Sequence, residues 1–363
     1  MFSSAASVYL AREMAPDLGL IEGFYGKPWD WPARAETVTF LAPHGYRFYF
    51  YAPKADAFLR RRWRERHPAQ AEAELRKLSY HCRSLGVRFG VGLSPYEIYR
   101  RFDDDAKSSL SAKLTQLDDI GIDDLGILFD DMRGDLPELA RTQADIVHWV
   151  RERTKATRLL VCPSYYTDDP ILDRFFGERP TGCLEDLGRA LDPSIHVFWT
   201  GEEVCARAIS PAHLARVASE LGRKPFLWDN YPVNDGPKMS RHLHLRAFTG
   251  RPASIAAHIS GHGINVASQA VLSRIPALTL AESYETGTAY DADAAFARAA
   301  QLVLGAELAG MLREDLGSFH DEGRDRAAIL RKRYERIDHP AAREIVAWID
   351  GYWAITREEM EVQ

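Results

Sequence analysis

Gly126-Ile127-Leu128-Phe129-Asp130-Asp131-Met132 is a short apolar run that stops at two adjacent carboxylates. Apolar at successive positions and bounded by polar residues, it reads as a strand buried on both faces, the kind found in a parallel sheet. Aspartates at the C-terminal end of such a strand lie where parallel barrels gather their chemistry. Within a strand neighbouring side chains point to opposite faces, but at its end both can turn toward one ligand. Two ionised carboxylates this close repel, which is expected to raise one pKa and so provide one acid and one base. The plainer reading is a loop aspartate followed by an N-cap for the segment starting near Leu136, and the doublet alone does not separate the two.

The pattern on either side does. Apolar runs that read as strands recur at 18–25, 47–51, 88–93, 124–129, 159–162, 195–199, 225–228 and 254–258. Helical spacing fills the gaps at 32–42, 70–85, 106–119, 137–153 and 211–221. Strands alternating with helices at this rhythm argue for βα units and a parallel sheet. Eight of them in about 250 residues suit a (β/α)8 TIM barrel. A doubly wound sheet would be expected to carry a Gly-rich phosphate turn after its first strand, and none is present. From about residue 270 strand signals vanish. Apolar stripes at 268–280, 291–304, 306–316, 326–337 and 340–357 predict a C-terminal all-helical region. The expected division is a leader at 1–17, the catalytic barrel at 18–270 and the helical region at 271–363.

With 46% hydrophobic residues in 363, the chain can bury a large core. A net charge of -6 gives no reason to expect nucleic acid or an acidic membrane surface. The four cysteines are widely spaced, with no C-x-x-C, and fit a reducing compartment. Residues 1–17 lack the basic start and apolar core of a signal peptide, and no run approaches the roughly 18 apolar residues of a membrane span. These features predict a cytoplasmic protein without a membrane partner. Arg60–Arg66 holds five arginines. Such a run usually forms a solvated face, although its place after the second strand would also let it reach the mouth of a site.

Each predicted strand end carries aromatic, amide or charged residues. The first gives Glu22-Gly23-Phe24-Tyr25-Gly26-Lys27-Pro28-Trp29, the second Tyr51-Ala52-Pro53-Lys54, and the third Ser94-Pro95-Tyr96. The fifth gives Pro163-Ser164-Tyr165-Tyr166, the sixth Trp199-Thr200-Gly201, and the seventh Trp228-Asp229-Asn230 running on to Asp235. Gly261-His262-Gly263-Ile264-Asn265 follows near the last. Ring faces stack on sugar C–H surfaces while amides and carboxylates fix hydroxyl directions, so this collection suits a carbohydrate pocket. Singly, Tyr49 and Phe50 read as core and Lys54 as a surface ion pair. A metal hydrolase would have to use Asp130, Asp131, His242, His244, His258 and His262. However, His242 and His244 lie in a stretch read as helical, where i and i+2 do not share a face, and no H-E-x-x-H or C-x-x-C is present. No metal and no cofactor are expected.

Gly19 to Trp29, Tyr51-Ala52-Pro53-Lys54, Leu128-Phe129-Asp130-Asp131, Trp199-Thr200-Gly201 and Trp228-Asp229-Asn230 together resemble the family 84 glycoside hydrolases, β-N-acetylglucosaminidases that include the protein O-GlcNAcases. The segments fall in order over roughly residues 18 to 270. The resemblance implies a (β/α)8 barrel followed by helices. It also implies a retaining, substrate-assisted mechanism, one of the exceptions to the two-carboxylate scheme. The 2-acetamido oxygen of the sugar attacks the anomeric carbon and gives an oxazoline, so carboxylate separation says nothing about stereochemistry. It further implies that Asp130 accepts a hydrogen bond from the acetamido N–H and that Asp131 is the acid and then the base. Gly23 and Lys54 would contact hydroxyls, and Asn230 and Asp235 would hold the acetamido side and the 4- and 6-hydroxyls. Tyr166 and Trp228 would line the acetamido pocket, with Asn265 on the 3-hydroxyl side. The chain departs from the family pattern at Ala55, where an acid is usual, and in Pro163-Ser164-Tyr165-Tyr166. The implied partner is a β-GlcNAc-bearing glycan or glycoprotein, and the helical tail permits a homodimer. The competing expectations are a sugar-binding barrel without turnover and a hexosaminidase for another N-acetylhexosamine.

Overall fold

A computed structural model describes residues 16–363, and the leader read at 1–17 lies almost wholly outside them. Among the described residues eight parallel strands close on themselves in chain order. They are β1 Leu18–Glu22, β2 Tyr46–Tyr51, β3 Arg88–Leu93, β4 Asp124–Leu128, β5 Arg158–Cys162, β6 His196–Trp199, β7 Phe226–Asp229 and β8 Gly261–Asn265. Pairing of β8 with β1, Leu18 opposite His262 and Ile21 opposite Asn265, completes the barrel.

The period-2 alternation of β2 shows how the interior is filled. Phe48 and Phe50 point inward to join Ile21, Leu160, Phe198 and Phe226, while Tyr49 and Tyr51 face the helical shell. The inner rings meet edge to face, with centroids 5.4 Å apart for Phe48–Phe226 and 5.3 Å for Phe198–Phe226. Rings this large leave no room opposite. A Cβ on Gly126 would sit 2.5 Å from the Phe50 ring, and one on Gly261 2.2 Å from Phe226.

That packing corrects the reading of the eighth strand. Residues 254–258 form part of a 3-10 turn, Ala253–His258, and the strand is Gly261–Asn265. Four of its five residues are too small or too polar to look like a strand in isolation. They pair because neighbouring strands supply the side chains that fill the space above them.

The helical shell comprises α1 Trp31–Leu41, α2 Ala69–Ser84, α3 Asp104–Ile120, α4 Leu139–Arg151, the short α5 Ile171–Phe176, α6 Cys183–Ala190, α7 Pro211–Leu221 and the single turn α8 Gly236–Met239. α9, Ala270–Thr286, was assigned from the sequence to the C-terminal region, yet it closes the ring against α1. Arg274 donates to Thr37 Oγ1, and Tyr46 donates to the Ala277 carbonyl. The barrel therefore runs on through Thr286, because an eighth strand needs a helix to cover it.

Beyond it lie α10 Ala292–Gly317, α11 Arg324–Ala327, α12 Arg331–Tyr334, α13 Pro340–Ile349 and α14 Arg357–Val362. α10 is long and apolar enough by composition to cross a membrane, but half of that stretch is buried in the fold and Gly305 breaks it with φ +76°. The helix expected across 340–357 stops at Ile349, and Gly351 turns the chain with φ +81° before α14 begins. The segment carrying His242 and His244 is irregular rather than helical. Both rings donate from Nδ1 to backbone carbonyls, of His320 and Val233 respectively.

At the end of β7 the buried Asp229 carboxylate is clamped by Arg251, Nη2 to Oδ1 at 2.7 Å and Nε to Oδ2 at 2.8 Å, and by His262 at 3.1 Å. Burial pushes this carboxyl up, but Arg251 and His262 more than offset it and hold the pKa at about 2. A folded value below the unfolded one means stability that is present above about pH 4 and fades as pH falls toward 2. Arg251→Met is expected to lower unfolding free energy by about 3–5 kcal/mol near neutral pH, since it strands a buried charge. Urea unfolding measures this, and a loss under about 1 kcal/mol would mean that Arg251 is not what keeps the buried Asp229 carboxylate tolerable.

Candidate active site

The C-terminal ends of the strands open onto a cleft of about 640 Å³, counting the solvent space at its mouth. Gly23, Lys54, Asp130, Asp131, Tyr166, Trp228, Asn230, Asp235 and Asn265 all line it. Residues up to 242 positions apart in sequence are brought together here, Gly23 N–H donating to Asn265 Oδ1 at 3.1 Å.

The floor is Trp228, whose ring stands on Phe198 with centroids 5.1 Å apart. Its indole N–H donates to Asn230 Oδ1 at 3.2 Å, and Asn265 Nδ2 donates to the same oxygen at 2.9 Å. Asn230 in turn donates to the Val204 carbonyl at 2.8 Å. These bonds fix both amides in orientation. Gly23 must be glycine, because a Cβ there would lie 2.3 Å from the Trp228 ring.

The carboxylate doublet ends β4 in an unusual backbone state. Asp131 has φ +58°, a left-handed conformation that side chains other than glycine rarely take. Strain of this kind persists where surrounding contacts over-determine it, and here three donors hold the carboxylate. Tyr25 hydroxyl donates to Oδ2 at 2.8 Å, Tyr166 hydroxyl to Oδ1 at 3.2 Å, and Lys54 Nζ lies 3.3 Å from Oδ2. The turn lets Asp130 and Asp131 face one cleft, and Lys54 pairs with both. Asp130 Oδ2 takes the ammonium, while Oδ1 is buried with no hydrogen-bond partner.

Mutual repulsion was expected to raise one pKa of the doublet. Instead, although burial pushes Asp131 up, Lys54, Arg60 and the bonds from Tyr25 and Lys54 outweigh it and hold the carboxyl below its ordinary value. Burial would likewise lower the Lys54 ammonium, yet the two aspartates keep it raised and so charged. The raised carboxyl in the cleft is Asp235. Burial pushes it to about 6, and the Asp131 charge adds to this against the Tyr25 N–H, which donates to Asp235 Oδ2 at 2.8 Å.

Tyr166 turns into the cleft, whereas Tyr165 turns away and donates to the Gly177 carbonyl at 2.6 Å. Three further residues shape the site without having been named singly. Tyr25 stood within a noted strand end, where only its hydroxyl geometry marks it out. Arg60 belongs to the run read as a solvated face that could also reach the mouth of a site, and it takes the second course: it is buried and donates to Ser94 and to the Asp131 carbonyl. Met360, on α14, lines the cleft from the far end of the chain with no signal in its neighbourhood. Glu22 belongs underneath. Arg34 donates to it at 2.8 and 2.9 Å and Trp29 N–H at 3.1 Å, which ties the β1 loop to α1.

Residues 18–319 match the family described as beta-N-acetylglucosaminidase. Protein O-GlcNAcase from Rattus norvegicus and that from Mus musculus are each 27% identical over 252 residues, covering 67% of this chain. The match spans only 27% of those relatives' own length. Among solved structures, a mutant of the Thermobaculum terrenum O-GlcNAc hydrolase superposes with a TM-score of 0.78 at 27% identity, over 93% of this chain and 81% of that one. CpGH84B shares the fold with a TM-score of 0.75 at 21% identity, over 93% of this chain and 67% of its own. The family match covers the whole of the described barrel and every residue of the cleft except Met360, and on that ground the chain belongs to the β-N-acetylglucosaminidase family.

Proposed function

We propose that the protein is a retaining glycoside hydrolase that removes terminal β-linked N-acetylglucosamine by substrate-assisted catalysis. The observation that carries this reading is the pair of carboxylates lining one cleft, Asp130 with its Oδ1 buried and without a donor, beside an Asp131 held by Tyr25, Tyr166 and Lys54. An orphaned buried acceptor is costly unless a ligand supplies the missing N–H, and an acetamido group carries one.

On this reading the acetamide lies over Trp228 and beside Tyr166, its N–H donating to Asp130. The carboxylate makes the carbonyl oxygen a better nucleophile and aims it at the anomeric carbon. That oxygen forms a bond to the anomeric carbon as the glycosidic C–O bond breaks, and Asp131, which Lys54 and Arg60 hold toward its ionised form and which must therefore first take up a proton from solvent, gives that proton to the departing oxygen. The oxazoline then opens as water adds to the anomeric carbon and returns a proton to Asp131. Lys54 stays charged throughout and offsets the doublet. Asn230, Asn265 and Asp235 hold the hydroxyls and the acetamido side in register, which is how binding energy is turned to orientation. The names of the relatives support a protein-borne sugar as the aglycone.

Nitrophenol release from the β-N-acetylglucosaminide, with the β-glucoside and β-N-acetylgalactosaminide in parallel, tests the reading. Turnover of the first alone is expected, and silence on all three with folded protein would favour a binding barrel. Asp131→Asn is expected to lower kcat/KM about 10²–10⁴-fold on poor leaving groups and far less on activated aryl glycosides. Equal loss on both would remove Asp131 from the acid role. The ionisation of Asp235 sets a pH dependence. Above about 6 it is a carboxylate and accepts charge-assisted bonds from hydroxyls, so kcat/KM is expected to rise through that region. Asp235→Asn should flatten this ascending limb, and a limb that persists belongs to another group.

A further inference from the structure

The cleft has one wall that does not belong to the barrel. After α13 the chain turns at Gly351, crosses the β1 loop and forms α14 over the mouth of the site. A reciprocal capping box starts α14, with Glu359 N–H bonded to Thr356 Oγ1 and Thr356 N–H to Glu359 Oε2. Met360 and Gln363, three residues apart and so on one face, turn toward the barrel. Gln363 Oε1 accepts from Gly26 N–H at 2.8 Å, and Arg61 donates to the Glu361 carbonyl at 2.7 Å. Met360 reaches the cleft itself, its sulfur 3.6 Å from where a side chain on Gly236 would begin.

Two details give this wall a function. Successive amides of the β1 loop divide their work, Tyr25 N–H holding Asp235 and Gly26 N–H holding Gln363. The wall therefore stands against the Asp235 side of the cleft. No residue of α14 is fully buried, and beyond the contacts just named the segment is held by the buried Ile355 against Gly26 and by Lys27 over the Tyr352 ring. An element secured so lightly belongs to the low-stability end of a structure and can detach without unfolding the rest.

We propose that α14 is a detachable strap and that Met360 is a specificity-determining residue, closing the cleft over the 4- and 6-hydroxyl edge so that it admits a single terminal sugar. The choice of edge rests on the function proposed above, in which Asp235 takes those hydroxyls. The thioether offers an adaptable apolar surface to the C–H groups of that edge and leaves no passage for a further sugar attached there.

The test compares the wild-type chain with Met360→Ala and with the double variant Arg61→Ala/Gln363→Ala, which removes both tethers. Met360→Ala is expected to raise KM for the aryl N-acetylglucosaminide about three- to tenfold with kcat within about twofold, the mark of lost uniform binding. The double variant should do the same and should also release intact chitobiose from 4-nitrophenyl β-chitobioside, which the wild type trims one sugar at a time. Unchanged KM in both variants, no intact chitobiose from the double variant, or a lowered melting temperature in either would overturn the proposal. If the wild type turns over no sugar, the function reading fails separately. The strap is then read by hydrogen exchange over residues 23–28: faster exchange in the double variant supports docking of α14 there, and identical exchange overturns it.

Discussion

One ammonium group between two adjacent carboxylates is the interaction on which the rest of the site depends. Without Lys54, Asp130 and Asp131 would share a buried space with two negative charges, and one would have to take up a proton or swing away. With Lys54 paired to both, the doublet faces one cleft, and the left-handed backbone at Asp131 is held there by Tyr25 and Tyr166. The same pairing explains why the raised carboxyl lies elsewhere. Asp235 is half-buried without a cation bonded to it, so desolvation prevails there and not at Asp131.

Two further buried ionic clusters hold the loops that carry the binding groups. Glu22 with Arg34 and Tyr49 anchors the loop after β1, which brings Gly23 and Tyr25. Asp229 with Arg251 and His262 anchors the end of β7, next to Asn230, and His262 extends the network to Tyr284 on α9. Buried pairs of this kind contribute little net stability over an apolar substitute, but breaking one is costly. They act as fixed points beneath a polar rim, so the amides above them need not move when a ligand arrives.

The barrel and most of its cleft were legible because each depends on local pattern. Apolar runs mark seven of the eight strands, and polar residues at their ends mark the mouth. The eighth was missed because Gly261-His262-Gly263 looks like a loop until Phe226, Ile21 and Phe48 occupy the space above it. Arg60 was read with its exposed neighbours because nothing beside it in sequence shows that Tyr96 and Ser94 receive it. The sequence could not choose between Tyr165 and Tyr166 by residue type, and the direction each side chain takes after β5 separates them.

What the sequence determined by itself was the order of strands and helices, the chemistry at each strand end and the family to which that chemistry belongs, since periodicity and residue type are written along the chain. What only the tertiary structure decided was which charges meet. It put Lys54 between the aspartates, left Asp130 Oδ1 without a donor, raised Asp235 and brought Met360 across the mouth. Those outcomes depend on distances of a few ångströms between residues that lie tens to hundreds of positions apart, and Coulomb and desolvation energies follow distance in space and not separation along the chain.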